Sequence, residues 1–315
     1  MQGKQLQRPL GLPLFKGPKE HWAKVSDICT SETMTVYQSF DPAELAIPQM
    51  HQLLVGGIGP RPVCFASTVD AEGRANLAPF SFFNVFSANP PVLIFSPANS
   101  GRDASPKHSY LNAKAHPEVV INIVTESMVQ KMNVAAAPWD KGVSEFEMAG
   151  FTPLASEVVK PARVAESPVQ YECKVIEVKE LGTGGGSGNL VICQVLRVHV
   201  NRAVMTEDGR IDQTALHTVG RLGGHWYSRT GAEHMFELAQ PMQNPIGYAG
   251  LPEAVKTSKE LNAYEVGQLA HAMAVPSAED SANAVKEHGP ASADTIKRLL
   301  AAGKLEAAVA LAWAL

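Results

Sequence analysis

Residues 62–83 read PVCFASTVDAEGRANLAPFSFF, and this stretch decides the fold class. Its first eight residues are apolar, small or β-branched, a composition typical of a strand. The letters DAEG then interrupt the apolar run, and Gly73 can adopt the positive φ that a tight turn requires. Apolar residues resume at 76–83. The pattern therefore predicts a β-hairpin.

Further strands are predicted on both sides of this hairpin. Residues 91–96 (PVLIFS) and 118–124 (EVVINIV) are short apolar runs of the buried-strand type. Residues 171–181 and 190–201 are longer and alternate in polarity, so they predict a long antiparallel hairpin. Short helices are expected at about 109–115 and 126–136. Many short strands and few long helices before residue 240 favour a closed antiparallel barrel.

The glycine run at 182–188 (GTGGGSG) is the one segment that suggests a nucleotide-binding loop. A Walker loop would end in Gly-Lys-Ser/Thr, and no lysine is present there. A dinucleotide-binding turn would lead into a helix, whereas the following VICQVLRVHV is strand-like. We interpret the run as the tip of the long hairpin.

The chain changes character after Gln240. Residues 253–272 and 292–314 are rich in Ala, Glu, Lys and Leu, with Gly289-Pro290 between them, which predicts two or three helices outside the barrel. We divide the chain into an N-terminal extension (1–34), a barrel domain (35–240) and a helical C-terminal extension (241–315). Residues 1–33 are either a true extension or the product of a start assigned upstream of Met34.

Composition excludes several classes of function. The 315 residues are 45% hydrophobic and 18% charged, with a net charge of −4, so neither nucleic acid nor an anionic membrane is an expected partner. The N-terminus lacks an apolar stretch of signal-peptide length, and no run of 18 apolar residues follows. Cys29, Cys64, Cys173 and Cys193 form no CxxC pair and are expected to be reduced structural thiols. These features predict a cytoplasmic protein.

No motif supplies a nucleophile, a metal site or a paired general acid and base, so no catalytic side chain and no metal ligand is assigned. The chemistry is therefore expected to reside in an organic cofactor.

The order of short motifs along residues 35–240 resembles the flavin-reductase-like, FMN-binding split-barrel family. The motifs are Pro60-Arg61-Pro62-Val63, Ser67-Thr68-Val69-Asp70, residues 76–84 (NLAPFSFFN), Asn89-Pro90-Pro91, Phe95-Ser96-Pro97, Arg102-Asp103 with Pro106-Lys107, Val120-Ile121-Asn122, residues 143–146 (VSEF), 164–169 (VAESPV) and 219–224 (VGRLGG).

The resemblance implies a mainly β fold: an FMN-binding split β-barrel with peripheral helices and, here, a helical C-terminal extension. It implies an oxidoreductase of the NAD(P)H-dependent flavin reductase type that passes electrons to free flavin or another small acceptor. It further implies a homodimer with two FMN sites near the subunit interface, and a partner monooxygenase as one acceptor of the reduced flavin. Two alternatives stay open: an FMN-binding electron carrier without NAD(P)H turnover, and a split barrel that binds a PLP-type cofactor or haem.

Site residues follow from the resemblance together with the chemistry of FMN. The phosphate dianion needs cations and hydroxyls near a helix N-terminus, which Arg102, Lys107, Ser109, Ser67 and Thr68 would supply. The flavin ring needs an apolar slot with backbone polar groups. The residues expected to form that slot are Asn76, Ala78, Pro79, Phe80, Ser81 and Ser96. Those expected near the open face of the flavin are Arg221, His225 and Tyr227. His108 and Ser109 stand where relatives commonly have Asp or Thr, so the hydroxyl of Ser109 is the phosphate contact available there.

Overall fold

The predicted hairpin is present in the computed structural model, which describes residues 37–238 and 240–315. Strand β1 (Arg61–Pro62) leads into β2 (Cys64–Val69), which pairs antiparallel with β3 (Ala75–Phe80). Asp70 closes the turn by donating its N–H to the Arg74 carbonyl at 3.1 Å, and Gly73 has a φ of +77°. A residue with a Cβ rarely adopts that φ, so the glycine is needed at this turn.

The hairpin forms one end of a seven-stranded antiparallel sheet. The strands that follow are β4 (Phe83–Ala88), β5 (Pro91–Phe95), β6 (Glu118–Ile123), β7 (Pro153–Leu154), β8 (Arg163–Val164), β9 (Val169–Glu180), β10 (Asn189–Val200), β11 (Val219–Arg221) and β12 (Tyr227–Arg229). The large sheet has the order β3-β2-β6-β9-β10-β5-β4, and β1-β11-β12 and β7-β8 form small sheets. The glycine run lies between β9 and β10, which confirms the long hairpin.

The barrel is not closed by hydrogen bonds, contrary to the expectation of a closed barrel. In the described residues β3 pairs only with β2 and β4 only with β5, although β3 and β4 follow each other along the chain. The gap between these two edges makes the barrel a split one.

Helices surround this sheet. They are α1 (Ile47–Gly57), α2 (His108–Ala115), α3 (Val129–Ala135), α4 (Glu145–Ala149) and α5 (Gln213–Leu216), with 3-10 turns at Pro42–Glu44, Glu126–Met128, Arg202–Val204 and Ala232–His234. The helix expected at 126–136 begins as the 3-10 turn and continues as α3. The pattern did not predict α1.

Two buried clusters occupy the two faces of β2. Cys64 and Ala66 face one cluster together with Phe95 and Ile121, whereas Phe65 packs on the other face against Phe151. This alternation is the period of two that a strand imposes. Burial raises the pKa of the thiols of Cys64, Cys173 and Cys193, which are free and buried. Cys29 and the N-terminal extension 1–34 lie outside the described residues.

Residues Phe40–Glu237 form one compact unit, and the described residues of Leu238–Leu315 belong to a second. The second unit contains α6 (Glu253–Lys256), α7 (Ala263–Ala270), α8 (Ala278–His288), α9 (Ala293–Ala301) and α10 (Leu305–Ala312), with a 3-10 turn at Tyr248–Gly250. The prediction of two or three helices was therefore wrong in number. Asn262 begins α7 with a capping box, and Gly303 separates α9 from α10 with a φ of +72°.

The second unit has its own hydrophobic core, in which Leu269, Ile296 and Leu311 are fully buried. No helix within the described ranges has both the length and the apolar character needed to cross a membrane.

Glu172 is a fully buried carboxylate in the middle of β9. Its oxygens accept the N–H groups of Glu157 at 2.8 Å and Val158 at 2.7 Å, and His199 contacts it at 2.6 Å. Arg163 lies 3.9 Å away. Burial by itself raises the pKa of Glu172, but the hydrogen bonds from these groups outweigh it and hold the pKa below its ordinary value. The carboxylate thus holds the loop between β7 and β8 against the sheet.

We predict that Glu172→Gln lowers the free energy of unfolding at neutral pH by roughly 1–3 kcal/mol, because the buried donors lose a charged acceptor. A carboxyl with a lowered pKa stabilises the fold above its unfolded pKa, about 4.3 for Glu, and this stabilisation is lost as the pH falls further. Urea titrations of both proteins should therefore show a difference that shrinks below about pH 4. Glu177→Gln, an exposed position on the same strand, is the matched control. A difference that stays constant with pH would contradict this role.

Candidate functional site

Two cavities lie on either side of the end of β3, where the chain turns into β4. The first, here the arginine cavity, has a volume of about 440 Å³. It is lined by His51, Gln52, Val55, Arg61, Pro79, Phe80, Ser81, Phe82, Ser96, Ala98, Lys107, Arg221, Leu222 and Gly224. The second, here the helix cavity, has a volume of about 260 Å³. It is lined by Asn76, Ala78, Pro79, Phe80, Ser105, Pro106, Lys107, His108, Ser109, Ala135, Ala136, Ala137, Pro138, Trp139 and Glu145.

The wall shared by both cavities consists of Pro79, Phe80 and Lys107. Pro79 lies inside the β2–β3 ladder, directly opposite Phe65. The proline therefore takes part in regular strand pairing. It is tolerated because β3 is an edge strand, where a residue without an N–H group can face away from the ladder.

The helix cavity is built at the N-terminus of α2. The first N–H groups of a helix have no acceptor within it, and Lys107 at the N-cap position provides no side-chain hydrogen bond to them. Lys107 itself is exposed and carries a positive charge at the cavity rim. An anion in this cavity would therefore meet unpaired N–H groups and a lysine together.

A buried network of polar side chains underlies this helix end. The Asn76 amide donates to the Ser109 hydroxyl at 3.0 Å and to the Thr68 hydroxyl at 3.3 Å. The Asn112 amide also donates to Thr68, at 3.1 Å. Asn76 and Ser109 line the helix cavity, whereas Thr68 is fully buried behind them. The network connects β2 and β3 to α2, so it positions the helix N-terminus relative to the edge strand.

Ser67 points to the other face of β2, because successive strand residues alternate. Its hydroxyl is buried and has no hydrogen-bond partner within the described part of the chain. The structure therefore does not bring the Ser67 and Thr68 side chains together, and neither lines the two cavities.

Glu145 is the acidic residue of the helix cavity. Its Oε2 accepts the N–H of Leu77 at 2.9 Å, and this contact binds α4 to the outer edge of β3. Burial raises the pKa of Glu145 above its ordinary value, although the hydrogen bond from Leu77 and the nearby His108 oppose this shift. The residue thus satisfies a backbone donor that the open edge of the sheet leaves without a strand partner.

The arginine cavity is strongly basic. Arg61 donates to the carbonyls of Val55 at 2.9 Å, Leu222 at 3.1 Å and Ile58. Arg221 donates to the Gly224 carbonyl at 2.6 Å. Burial, followed by the charge of Arg221, lowers the pKa of Arg61.

The remaining residues expected at the site are distributed around the cavities. Ser81 and Ser96 line the arginine cavity. The Tyr227 ring lies under the Arg221 guanidinium at 4.5 Å, outside the lining itself. His225 is exposed, and it lines neither cavity. Arg102 is exposed on the loop before α2 and also lines neither cavity.

Several lining residues were not predicted from the sequence. His51, Gln52 and Val55 come from α1, whose spacing of apolar residues could have revealed a helix. Arg61 belongs to a quoted motif, but nothing in the motif indicates that its strand pairs with β11. Glu145 lies in the motif at residues 143–146, but the resemblance assigns it no role.

Comparisons with known proteins identify the family of this chain. Residues 57–218 match the model of the flavin reductase like domain. An uncharacterised protein of Halalkalibacterium halodurans is 36% identical over 203 residues, which cover 64% of this chain and 95% of that protein.

Two solved structures are similar as well. Nitrilotriacetate monooxygenase component B from Bacillus cereus has 35% identity and a TM-score of 0.61, covering 65% of this chain and 100% of that one. A Shewanella frigidimarina protein described as a flavin reductase with a split barrel domain has 26% identity and a TM-score of 0.54, covering 65% and 98%. Fold and site together define a split-barrel oxidoreductase that uses a flavin. The chain belongs to the flavin reductase-like domain family.

Proposed function

We propose that this protein is an FMN-binding oxidoreductase that accepts reducing equivalents from NAD(P)H and passes them to free flavin or another small acceptor. The observation that carries the proposal is the shared wall of Pro79, Phe80 and Lys107 between the two cavities. A flat ring with an anionic tail can lie along this wall, with its tail toward the helix N-terminus. When bound, the flavin supplies the hydride and electron transfer chemistry.

The residues of the helix cavity fit the phosphate of FMN. Lys107 and the first N–H groups of α2 provide positive charge and donors, and the Ser109 hydroxyl lies among them. In this proposal Asn76 and Thr68 act by positioning Ser109 and the helix end. Direct phosphate contacts from Arg102 and Ser67 stay predictions from the resemblance.

The residues at the end of β3 fit the flavin ring. Phe80 provides an apolar surface, and residues 78–80 belong to an edge strand whose outer backbone groups are not paired by β2. Ser96 also lines the arginine cavity. These groups would orient the ring and exclude water from it, without a side-chain acid or base.

The open side of the ring would then face the arginine cavity, where Arg221 is held over Tyr227. His225 stays a predicted residue of this face.

The relative from Bacillus cereus is named as a component of a monooxygenase. That name supports a partner monooxygenase as one acceptor of reduced flavin.

We further propose that residues 35–240 constitute the flavin domain, that 241–315 lie outside the flavin site, and that the protein is cytoplasmic.

The first test is the identity and reactivity of the bound flavin. The flavin that the purified protein carries, once extracted, should be FMN on chromatography. Under anaerobic conditions NADH or NADPH should bleach the flavin absorbance. Recovery of mainly FAD would contradict the cofactor, whereas a bound flavin that neither nucleotide bleaches would favour the electron carrier.

We predict that Lys107→Ala weakens FMN binding by about 10- to 100-fold, because a hydrogen bond to a charged group contributes roughly 1.5–3 kcal/mol. Riboflavin lacks the phosphate, so its affinity should stay nearly constant. Fluorescence quenching titrations with both flavins measure the two affinities.

Lys114→Ala is the matched control, because Lys114 lies at the other end of α2 and pairs with Glu180 at 2.9 Å. This variant should bind both flavins like the wild type. Equal losses for FMN and riboflavin in Lys107→Ala would indicate general unfolding, and no loss for FMN would remove Lys107 from the site.

Assembly is the second part of the proposal. The edge strand β4 exposes Val85 and Phe86, and α1 exposes Leu53 and Leu54. Exposed apolar surface on an edge strand favours association with another chain. We propose that these surfaces belong to the interface of a homodimer.

We predict a dimeric mass by light scattering at micromolar concentration. Phe86→Glu should shift the mass toward the monomer, because a charge would then be buried in the interface. The control is Leu196→Glu, which changes an exposed apolar residue on β10. A wild-type protein that is monomeric, or an equal effect of both substitutions, would contradict the proposed interface.

A further inference from the structure

Arg61 and Arg221 stand directly opposite each other in the antiparallel pair of β1 and β11. Side chains of opposite residues lie on the same face, with Cβ atoms about 4.5–5.5 Å apart, and like charges in this arrangement destabilise the sheet. The pairing therefore costs stability unless something compensates for the two positive charges.

No carboxylate within residues 37–238 and 240–315 forms an ion pair with either arginine. Arg61 is only 8% exposed, and its Nη atoms donate to carbonyl oxygens of the backbone. Its Nε is buried and has no partner among the described residues. A buried donor without a partner is uncommon in native proteins and calls for an acceptor.

The surrounding cavity adds to the positive charge. Lys107 also lines it, and its lining includes no Asp or Glu. Apart from His51, Gln52, Ser81 and Ser96, its other lining residues are apolar, and they include Phe82, whose ring centroid lies 5.9 Å from the Arg61 guanidinium. At about 440 Å³ the cavity is of the size that small organic ligands occupy.

We propose that the arginine cavity binds a small organic oxyanion, a carboxylate or phosphate carried on a planar ring, between Arg61 and Arg221. The oxyanion accepts hydrogen bonds from the guanidinium groups and neutralises the opposed charges, and the ring packs against Phe82 and Phe80. The role of this ligand as the reaction partner of a bound flavin rests on the proposed function, whereas the binding of the anion is independent of it.

Arg221 is the residue to vary, because Arg61 also holds the carbonyls at the end of α1 and its loss affects folding. The probes are benzoate, phenyl phosphate and the neutral benzamide, added to the full-length protein during thermal unfolding. A ligand that binds only the folded state raises the unfolding temperature. We expect benzoate or phenyl phosphate to raise it and benzamide to leave it unchanged. A response to phenyl phosphate alone would identify phosphate as the anion, and a response to benzoate would identify carboxylate.

In Arg221→Leu without ligand, the unfolding temperature should rise above that of the wild type, because the opposed charge is gone. The affinity for the responding anion should fall by about 10- to 100-fold, since charged hydrogen bonds are lost. Arg229→Leu is the matched control: Arg229 lies on the neighbouring strand and pairs with Glu126 at 2.5 Å. That variant should keep the anion response and gain no stability.

Equal responses to benzoate and benzamide, or an unchanged anion affinity in Arg221→Leu, would overturn the proposal. FMN and riboflavin affinities are measured on the same samples. If Arg221→Leu loses FMN but not riboflavin, the arginines hold the flavin phosphate and the second ligand is refuted. If the wild type binds benzoate but no flavin, the anion site stands and the proposed function fails.

Discussion

The open edge of β3 is the constraint on which the site depends. A strand that pairs on one side only leaves backbone groups that need other partners. Here Glu145 accepts the outward N–H of Leu77, and Pro79, two residues further, has no N–H to satisfy. The edge can therefore end beside two cavities without a buried unpaired donor at either position. Closing the barrel between β3 and β4 would remove the space that these cavities occupy.

The polar groups around that edge divide into two kinds. Thr68, Asn76, Ser109 and Asn112 satisfy one another, so they hold α2 in a fixed position at little cost. Arg61 and Arg221 instead face each other without a carboxylate in the described ranges. Local arrangements that cost stability in this way are expected at functional sites.

Local chemistry was sufficient to predict six of the seven strands of the large sheet, all except β4. The turn at Asp70–Gly73 and the alternation of β9 and β10 depend on residues close together in the chain, so a pattern of a few residues reveals them. The helices of the C-terminal unit were harder to place. Residues 253–272 and 292–314 each have the composition of one continuous helix. The cap at Asn262 and the turn at Gly303 divide each of these ranges into two shorter helices. A cap involves only one or two residues, so the composition of a longer segment does not reveal where a helix begins or ends.

The sequence by itself determined that the chain has a β-hairpin core and a helical extension, and the resemblance of its motifs indicated the family and the residues near Pro79. Only the tertiary structure decided which of those residues meet. Ser67 and Thr68 are adjacent in sequence, yet the alternation of the strand sends them to opposite faces. Arg61 and Arg221 are 160 residues apart and become direct neighbours because β1 pairs with β11. Strand pairing over such a distance depends on the packing of the whole sheet, which no local pattern contains.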